Sequence, residues 1–214
     1  MTTIKRLYCY LKMSLIVLIF CTATMIVAAQ APVKSKDTFL LRESRQQEDL
    51  PVNEYLQTRL APIRANFKKI NSVTCWTAVT RKILTETGEG GVVTFYYQGR
   101  QLCKIVTRQF GETFQQLNEY YMLNGQLSFV LERQYRYNRP IYYDSAAMKA
   151  NKDITAFDFD SSSIEENRVY FEKRKLIHLL NNKDCGVPCA SDYLEEEEKR
   201  IRAEFKHLLR LKAG

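Results

Sequence analysis

The sequence predicts an α+β fold, in which an antiparallel meander of five to seven strands is flanked by an interrupted N-terminal helix and a C-terminal helix. Three observations lead to this prediction. Apolar residues recur at helical spacing over residues 52–70, strand-like alternation continues from about residue 72 to about residue 180, and helical spacing returns over residues 191–212. Apolar residues make up 45% of the chain and charged residues 26%, which is typical of globular proteins, and residues 52–214 are predicted as a single domain.

The first helix is predicted from an apolar stripe. Ile63, Phe67 and Ile70 repeat at the spacing that places side chains on one face of a helix. Pro62 lies inside this stretch, and proline removes a backbone donor and crowds the preceding turn. We therefore expect a helix that is interrupted at Pro62.

The strands are predicted from alternation and from turn signals. Residues 72–84 are rich in β-branched residues, and a glycine-rich loop follows them. Gly99-Arg100 and Asn124-Gly125 each separate two alternating segments, which is the pattern of a hairpin with a two-residue turn. The sequence therefore predicts at least two hairpins in succession.

A two-residue turn at Asn124-Gly125 also predicts a register and a core face. The face opposite Tyr121 is mostly apolar and is expected to be the core, whereas the face that carries Tyr121 is mixed. The expected cross-strand pairs are Met122 with Leu127, Tyr120 with Phe129, and Asn118 with Leu131.

The rest of the domain is predicted in the same way. Residues 144–168 indicate a short helix or loop, and residues 168–180 indicate another hairpin at Lys173-Arg174. The C-terminal helix is predicted over residues 191–212, with Asp192 and Glu195 spaced as a capping box near its start. It is expected to dock on one face of the sheet, with acidic residues near its start and basic residues near its end. Its apolar stripe consists of Leu194, Ile201, Phe205 and Leu208. The spacing of four residues predicts the ion pairs Glu195–Lys199, Glu196–Arg200 and Glu198–Arg202.

Residues 1–29 are predicted as a signal peptide. Lys5, Arg6 and Lys12 precede the uncharged and mostly apolar residues 13–29, and small residues lie at the predicted cleavage site after Ala29. An uncleaved membrane anchor is the alternative, and it would be the chain's one contact with the membrane. Residues 30–51 are polar without periodicity and are predicted as a flexible linker. Either way we expect an exported protein, in the periplasm or at the cell surface.

The cysteines and the charge follow from this reading. Cleavage would leave Cys75, Cys103, Cys185 and Cys189, which allow three disulfide pairings. The short loop between Cys185 and Cys189 could close as a disulfide, whereas Cys75 and Cys103 are read as small apolar strand residues. The formal charge would fall from +8 to +5, because residues 1–29 hold three basic and no acidic residues. This mild excess does not indicate a nucleic-acid partner.

No catalytic or metal-binding motif is present in the sequence. The motifs of serine hydrolases, zinc proteases and phosphate-binding loops do not occur, and His178 and His207 are read as a strand residue and an exposed helix residue. Residues 158–169 resemble a calcium loop at their start, but Ser163 replaces the glycine and Val169 the final glutamate. We therefore predict no catalytic residue, no metal and no cofactor.

A run of arginine and tyrosine over residues 132–144 is the candidate binding surface. Planar cations beside aromatic rings suit anionic glycans, lipid headgroups or peptide carboxylates. The alternative is a strand that pairs its tyrosines across the sheet and leaves its arginines in water. We expect Tyr121, Arg136 and Tyr142 to be exposed together on one surface. The full candidate set is Tyr121, Arg133, Tyr135, Arg136, Tyr137, Arg139, Tyr142 and Tyr143.

Aromatic pairs recur along the strand region. They start at residues 96, 120, 142 and 170, and glycine and leucine follow the first two. This pattern resembles the MORN-type repeats, and the resemblance implies hairpins stacked into an extended antiparallel sheet. The whole chain is similar to uncharacterised exported proteins of Bacteroidetes-type bacteria, which implies a compartment and no activity.

The predicted function follows from export and from the absence of a catalytic motif in the sequence. We expect a non-catalytic binding or structural module of the cell envelope, whose partner is an envelope protein or an anionic glycan or lipid. Two alternatives remain: a hydrolase of an envelope component with its site in residues 132–168, or a carrier that holds an apolar ligand.

Overall fold

The computed structural model of the chain describes residues 54–85, 89–183 and 190–213. The predicted signal peptide and linker, together with Cys185 and Cys189, lie outside the described residues. None of the described helices is long and apolar enough to cross a membrane.

Seven antiparallel strands form one sheet, and their order in the sheet is their order in the chain. This is the α+β meander that the sequence predicts, with the expected helices before and after it. The strands are β1 (Ala78–Leu84), β2 (Gly91–Gln98), β3 (Gln101–Phe110), β4 (Phe114–Leu123), β5 (Gln126–Arg136), β6 (Ser163–Glu172) and β7 (Lys175–Asn181). The helices are α1 (Glu54–Asn71), α2 (Ser145–Ala150) and α3 (Ser191–Ala213).

The helix α1 continues through Pro62, so the predicted interruption is not observed. Pro62 and Thr58 are both exposed. The Thr58 carbonyl, which loses its helical donor to the proline, therefore lies on the side of the helix that water can reach. Leu60, Ile63 and Ile70 form the buried side of the helix.

Helices cover both faces of the sheet. Consecutive residues of a strand point to opposite faces, and Tyr120 packs in a core with Ile201 and Leu208 of α3, whereas Tyr121 packs in a second core with Leu60 of α1. We call these two sides the α3 face and the α1 face. The prediction of one apolar face and one mixed face is therefore wrong, because β4 and β5 are buried on both sides.

A β-bulge explains why the predicted register also fails. Met122 pairs with Leu127 as expected, but the register shifts at the next residue, and Tyr121 rather than Tyr120 pairs with Phe129. Ser128 is the extra residue, and its buried hydroxyl donates a hydrogen bond of 3.0 Å to the Tyr121 carbonyl. The bulge therefore moves Phe129 and the alternate residues that follow it to the face opposite to the predicted one.

The same bulge occurs in three hairpins, β2–β3, β4–β5 and β6–β7. Tyr96, Tyr121 and Tyr170 occupy the equivalent position, immediately before each register shift. Tyr142 and Tyr143 start no hairpin and lie between β5 and β6, so they are not part of this structural repeat. Membership of the MORN-type repeats stays a prediction.

The tight turns at Asn124-Gly125 and Lys173-Arg174 differ in sequence. Asn124 and Gly125 both have positive φ (53° and 74°), as a two-residue hairpin turn of this type requires. Lys173 and Arg174 take the same region (50° and 69°) without the glycine or asparagine that usually allows it. The turn at Lys173-Arg174 is therefore correctly placed from the sequence, although its residues are atypical.

Residues 137–162 connect β5 to β6, and we call them the β5–β6 loop. The loop contains α2, whose N-terminus is capped by Asp144 Oδ1 with bonds of 2.9 and 2.8 Å from the backbone of Ala146 and Ala147. A 3₁₀ turn follows at Phe159–Ser161. The Asp158 side chain accepts hydrogen bonds from the Asp160 backbone N–H and from the Ser161 hydroxyl of this turn. The aspartate thus caps a turn.

The C-terminal helix agrees with its prediction. It spans Ser191–Ala213, close to the predicted residues 191–212, and Ile201 and Leu208 are its buried residues. Glu195–Lys199 and Glu198–Arg202 pair as expected for residues four apart. Arg200 pairs instead with the carboxylates at residues 132, 197 and 204.

Candidate functional site

The candidate binding residues do not form one surface. Tyr121, Arg133 and Tyr135 are buried on the α1 face, whereas Arg136 and Tyr142 are exposed. The predicted joint exposure of Tyr121, Arg136 and Tyr142 is therefore wrong. Its physical reason is that α1 covers the α1 face, with the Phe67 ring 5.0 Å from the Tyr121 ring. The three other candidates, Tyr137, Arg139 and Tyr143, are half-buried in the β5–β6 loop.

Five side chains of alternating charge form a row across the α1 face. Lys104 Nζ lies 2.5 Å from Glu119 Oε2, and Arg133 Nη1 lies 3.5 Å from Glu119 Oε1. Arg133 Nε and Arg168 Nε each lie 2.8 Å from an oxygen of Glu166. The five side chains lie on four adjacent strands, β3 to β6, and four of the five are buried. We call this set the buried charge row.

Two uncharged side chains complete the end of the row near α1. The Tyr121 hydroxyl lies 2.5 Å from Glu119 Oε2 and 3.1 Å from the Asn71 side-chain oxygen. Since the hydroxyl has one proton, the shorter contact with the charged oxygen is the stronger hydrogen bond. Lys104 Nζ donates to the same Asn71 oxygen at 3.2 Å. The last residue of α1 is thereby tied to the row.

The row keeps Glu119 ionised. Burial by itself raises the pKa of Glu119, but the charge and hydrogen bond of Lys104, the Tyr121 hydroxyl and the charge of Arg133 outweigh it and hold the pKa below its ordinary value. The hydrogen bond to Glu166 and the charges of Glu119 and Glu166 likewise hold the pKa of Arg133 above its ordinary value, against the effect of burial. The interior charges therefore neutralise one another.

A second buried carboxylate, Glu132, lies on the α3 face. Arg200 Nη2 donates to both of its oxygens at 2.9 Å, and Asn167 donates to one of them at 3.3 Å. Burial raises the pKa of Glu132 above its ordinary value, because desolvation outweighs the attraction of the half-exposed Arg200. Burial thus raises the pKa of both Glu119 and Glu132, but the net pKa shifts of the two carboxylates have opposite signs.

These two carboxylates predict opposite pH dependences. Because the pKa of Glu119 is lowered in the folded state, its ionisation stabilises the fold at pH values above the ordinary pKa of glutamate. That contribution is lost as the pH falls through the lowered pKa. Because the pKa of Glu132 is raised in the folded state, its contribution to stability is fully present at pH values below the ordinary pKa of glutamate. That contribution is lost as the pH rises through the raised pKa. The free energy of unfolding of Glu119→Gln should therefore fall furthest below that of wild type at neutral pH. For Glu132→Gln, the free energy of unfolding relative to wild type should increase as the pH rises.

Urea unfolding followed by circular dichroism, between about pH 3 and pH 7, checks this expectation. Each variant serves as the control for the other, since both replace a buried glutamate of the same sheet by its amide. Parallel pH profiles for the two variants would contradict it.

Arg136 is the last residue of β5, and the four other candidates outside the α1 face belong to the β5–β6 loop, which is held together by its own polar contacts. Arg139 Nη2 lies 2.7 Å from Asp153 Oδ2, to which the Tyr143 hydroxyl donates at 3.3 Å. The Arg139 guanidinium also lies over the Tyr143 ring, 5.6 Å from its centroid. These contacts lower the pKa of Asp153, together with the backbone N–H of Ile154, which has the largest effect.

Two apolar side chains next to these contacts face the solvent. Tyr142 is 64% exposed and Ile154 is 93% exposed. Ile141 beside Tyr142 is exposed as well. We call these three residues the loop surface. The sequence pattern predicts Tyr142 as a binding residue but not the two isoleucines, because their side chains are neither aromatic nor charged.

Two cysteines and two histidines lie in the described part of the chain. Cys75 and Cys103 are free, and Cys75 is exposed before β1 rather than in a strand, which corrects its predicted place. His178 lies in β7, where burial and the charge of Arg64 lower its pKa. Among the described residues, no group of three or more histidine, cysteine or acidic side chains could hold a metal ion.

Comparisons of the chain with protein-family models, with curated proteins and with solved structures found no match in any of the three.

Proposed function

We propose that this chain is an exported, non-catalytic binding module of the cell envelope that contacts a protein partner through the loop surface. The observation that carries the proposal is the exposure of Tyr142 and Ile154 on a loop that is held by the Arg139–Asp153–Tyr143 contacts. Exposed aromatic and aliphatic side chains on a preorganised loop are the usual anchors of protein interfaces. Export rests on the sequence of residues 1–29.

The charges of the sheet interior support a structural role for the interior rather than a catalytic one. Glu119, Arg133 and Glu166 are buried, and each forms an ion pair with another member of the buried charge row. A general acid or base has to reach its substrate, and its pKa has to suit proton transfer. The ion pairs of the row instead favour the charged forms of Glu119 and Arg133, and the row joins four strands to the end of α1.

The test is cross-linking capture of the tagged full-length protein from the envelope of its native host, read by mass spectrometry. The double variant Tyr142→Ala/Ile154→Ala is expected to reduce the captured partner at least about tenfold, because hot-spot residues each contribute roughly 2 kcal/mol or more to binding. The matched control is Tyr193→Ala/Ile164→Ala, which removes an exposed tyrosine and an exposed isoleucine outside the loop surface. Equal capture by both double variants would disprove the proposed surface.

A further inference from the structure

β1 forms one edge of the sheet, and its side chains on the α1 face are exposed. Within the described residues β1 pairs only with β2. Val79 is 46% exposed and Ile83 is 78% exposed, and Arg81, which is also exposed, lies between them on the same face of the strand. A free edge with exposed apolar side chains is a place where a further strand can pair.

The opposite edge of the sheet is protected. The Leu176 backbone N–H of β7 donates to Glu198 of α3 at 3.0 Å, and Leu179 is buried. The chain beyond β7 turns back towards β6, where the Asn182 backbone N–H and side chain bond to the carbonyls of Glu166 and Ile164. The exposure of β1 is thus particular to that edge.

The lysine of β1 does not guard its edge. Lysine side chains on edge strands commonly deter pairing with other chains. Lys82 instead directs its ammonium group to the Leu211 carbonyl near the end of α3, at 2.5 Å, where a cation is also favoured by the helix dipole. The exposed row of β1 is therefore apolar, basic and apolar in turn.

We propose that β1 is a docking site for an extended segment of another protein, which adds to the sheet as an eighth strand. Backbone hydrogen bonds along β1 would supply the pairing, and alternate side chains the selectivity. The complementary segment has an acidic residue opposite Arg81 and an apolar residue two positions before and after it, beside Val79 and Ile83. This site is separate from the loop surface and does not depend on it.

The charge of Arg81 argues against two other occupants. A second copy of the chain that paired along the whole of β1 would place Arg81 directly opposite its own counterpart, and like charges at opposed positions destabilise a strand pair. Within the predicted linker, no acidic residue of positions 30–51 has apolar residues two positions away on both sides. A segment of a different protein is the occupant that fits.

The proposal is tested with two fluorescent synthetic peptides and the full-length protein. One peptide reads Thr-Ile-Thr-Glu-Thr-Val-Thr, and the other has Lys in place of Glu. By fluorescence anisotropy the wild-type protein is expected to bind the Glu peptide at least about tenfold more tightly than the Lys peptide, and Arg81→Glu to reverse this preference. A structural effect of the substitution alone would weaken both peptides without reversing the order.

A second variant guards against an indirect effect. Ile83→Thr keeps the charge and the strand propensity and is expected to weaken the Glu peptide at least about threefold, while its circular dichroism matches wild type. The proposal is overturned if neither peptide binds to wild type or if Arg81→Glu leaves the preference unchanged. It is also overturned if sedimentation shows a dimer that Ile83→Thr dissociates and the Glu peptide does not, because β1 would then pair with its own copy.

Discussion

Replacing Arg133 by methionine is expected to lower the free energy of unfolding by about 3–5 kcal/mol, the usual loss when one partner of a buried ion pair is removed. Arg133 is buried between Glu119 and Glu166 and is hydrogen-bonded to both. Methionine fills much of the same volume but leaves two buried carboxylates with one cation each. The loss therefore comes from the ion pair and hydrogen bond that each buried carboxylate loses, rather than from a cavity.

Arg136→Met is the matched control, since Arg136 lies three residues further along β5 and is exposed. Its substitution removes the same charge and is expected to change stability by less than about 0.5 kcal/mol. Urea unfolding of the three proteins at neutral pH measures the difference. Equal losses in the two variants would show that the buried charge row does not stabilise the fold through its pairing.

Replacing Ile201 by alanine is expected to cost about 2–5 kcal/mol, the range for truncating a fully buried isoleucine. Ile201 is completely buried where α3 packs on the α3 face, in a core that also contains Phe95, Tyr120 and Val169. The lost methylene groups leave a cavity beneath the helix, which the rigid sheet cannot close. The variant is therefore expected to loosen the packing of α3.

Ile83→Ala makes the same chemical change at a side chain that is largely exposed. It is expected to cost less than about 1 kcal/mol, because little apolar surface leaves a buried environment. Thermal unfolding followed by circular dichroism compares the two variants. A loss for Ile201→Ala no larger than that for Ile83→Ala would mean that α3 contributes little to the stability of the domain.

The features that the sequence predicts correctly are those with local causes. The turn at Asn124-Gly125 follows from two residues that accept positive φ, and the pair Met122–Leu127 follows from the length of that turn. The C-terminal helix follows from an apolar stripe that includes Ile201 and from charges four residues apart. These signals lie within a few residues of the structure they specify.

The features that the sequence does not predict have non-local causes. The bulge at Ser128 is stabilised by the hydrogen bond from the Ser128 hydroxyl to the Tyr121 carbonyl. A serine at this position of a strand does not by itself predict a bulge. One inserted residue is enough to move Phe129 to the other face. Whether Tyr121 is buried then depends on where α1 docks, and the spacing of α1 does not reveal its place on the sheet.

The candidate site was predictable only in part for the same reason. Tyr142 was identified from its aromatic neighbours, and its exposure depends on the β5–β6 loop leaving the sheet. Glu119 and Glu166 are ordinary strand glutamates in the sequence, and they meet Arg133 only when β4, β5 and β6 are in the observed register. The buried charge row therefore could not be found without that register.

The order of the strands has a consequence for how the chain folds. Every strand pairs with its neighbour in the sequence, so most contacts within the sheet join residues that are close along the chain. Chains dominated by such local contacts have low contact order and fold faster than chains that must bring distant segments together. The hairpins can therefore form one after another along the chain. We expect the pairing of β5 with β6 to be the slowest of these steps, because it closes the longest connection within the sheet.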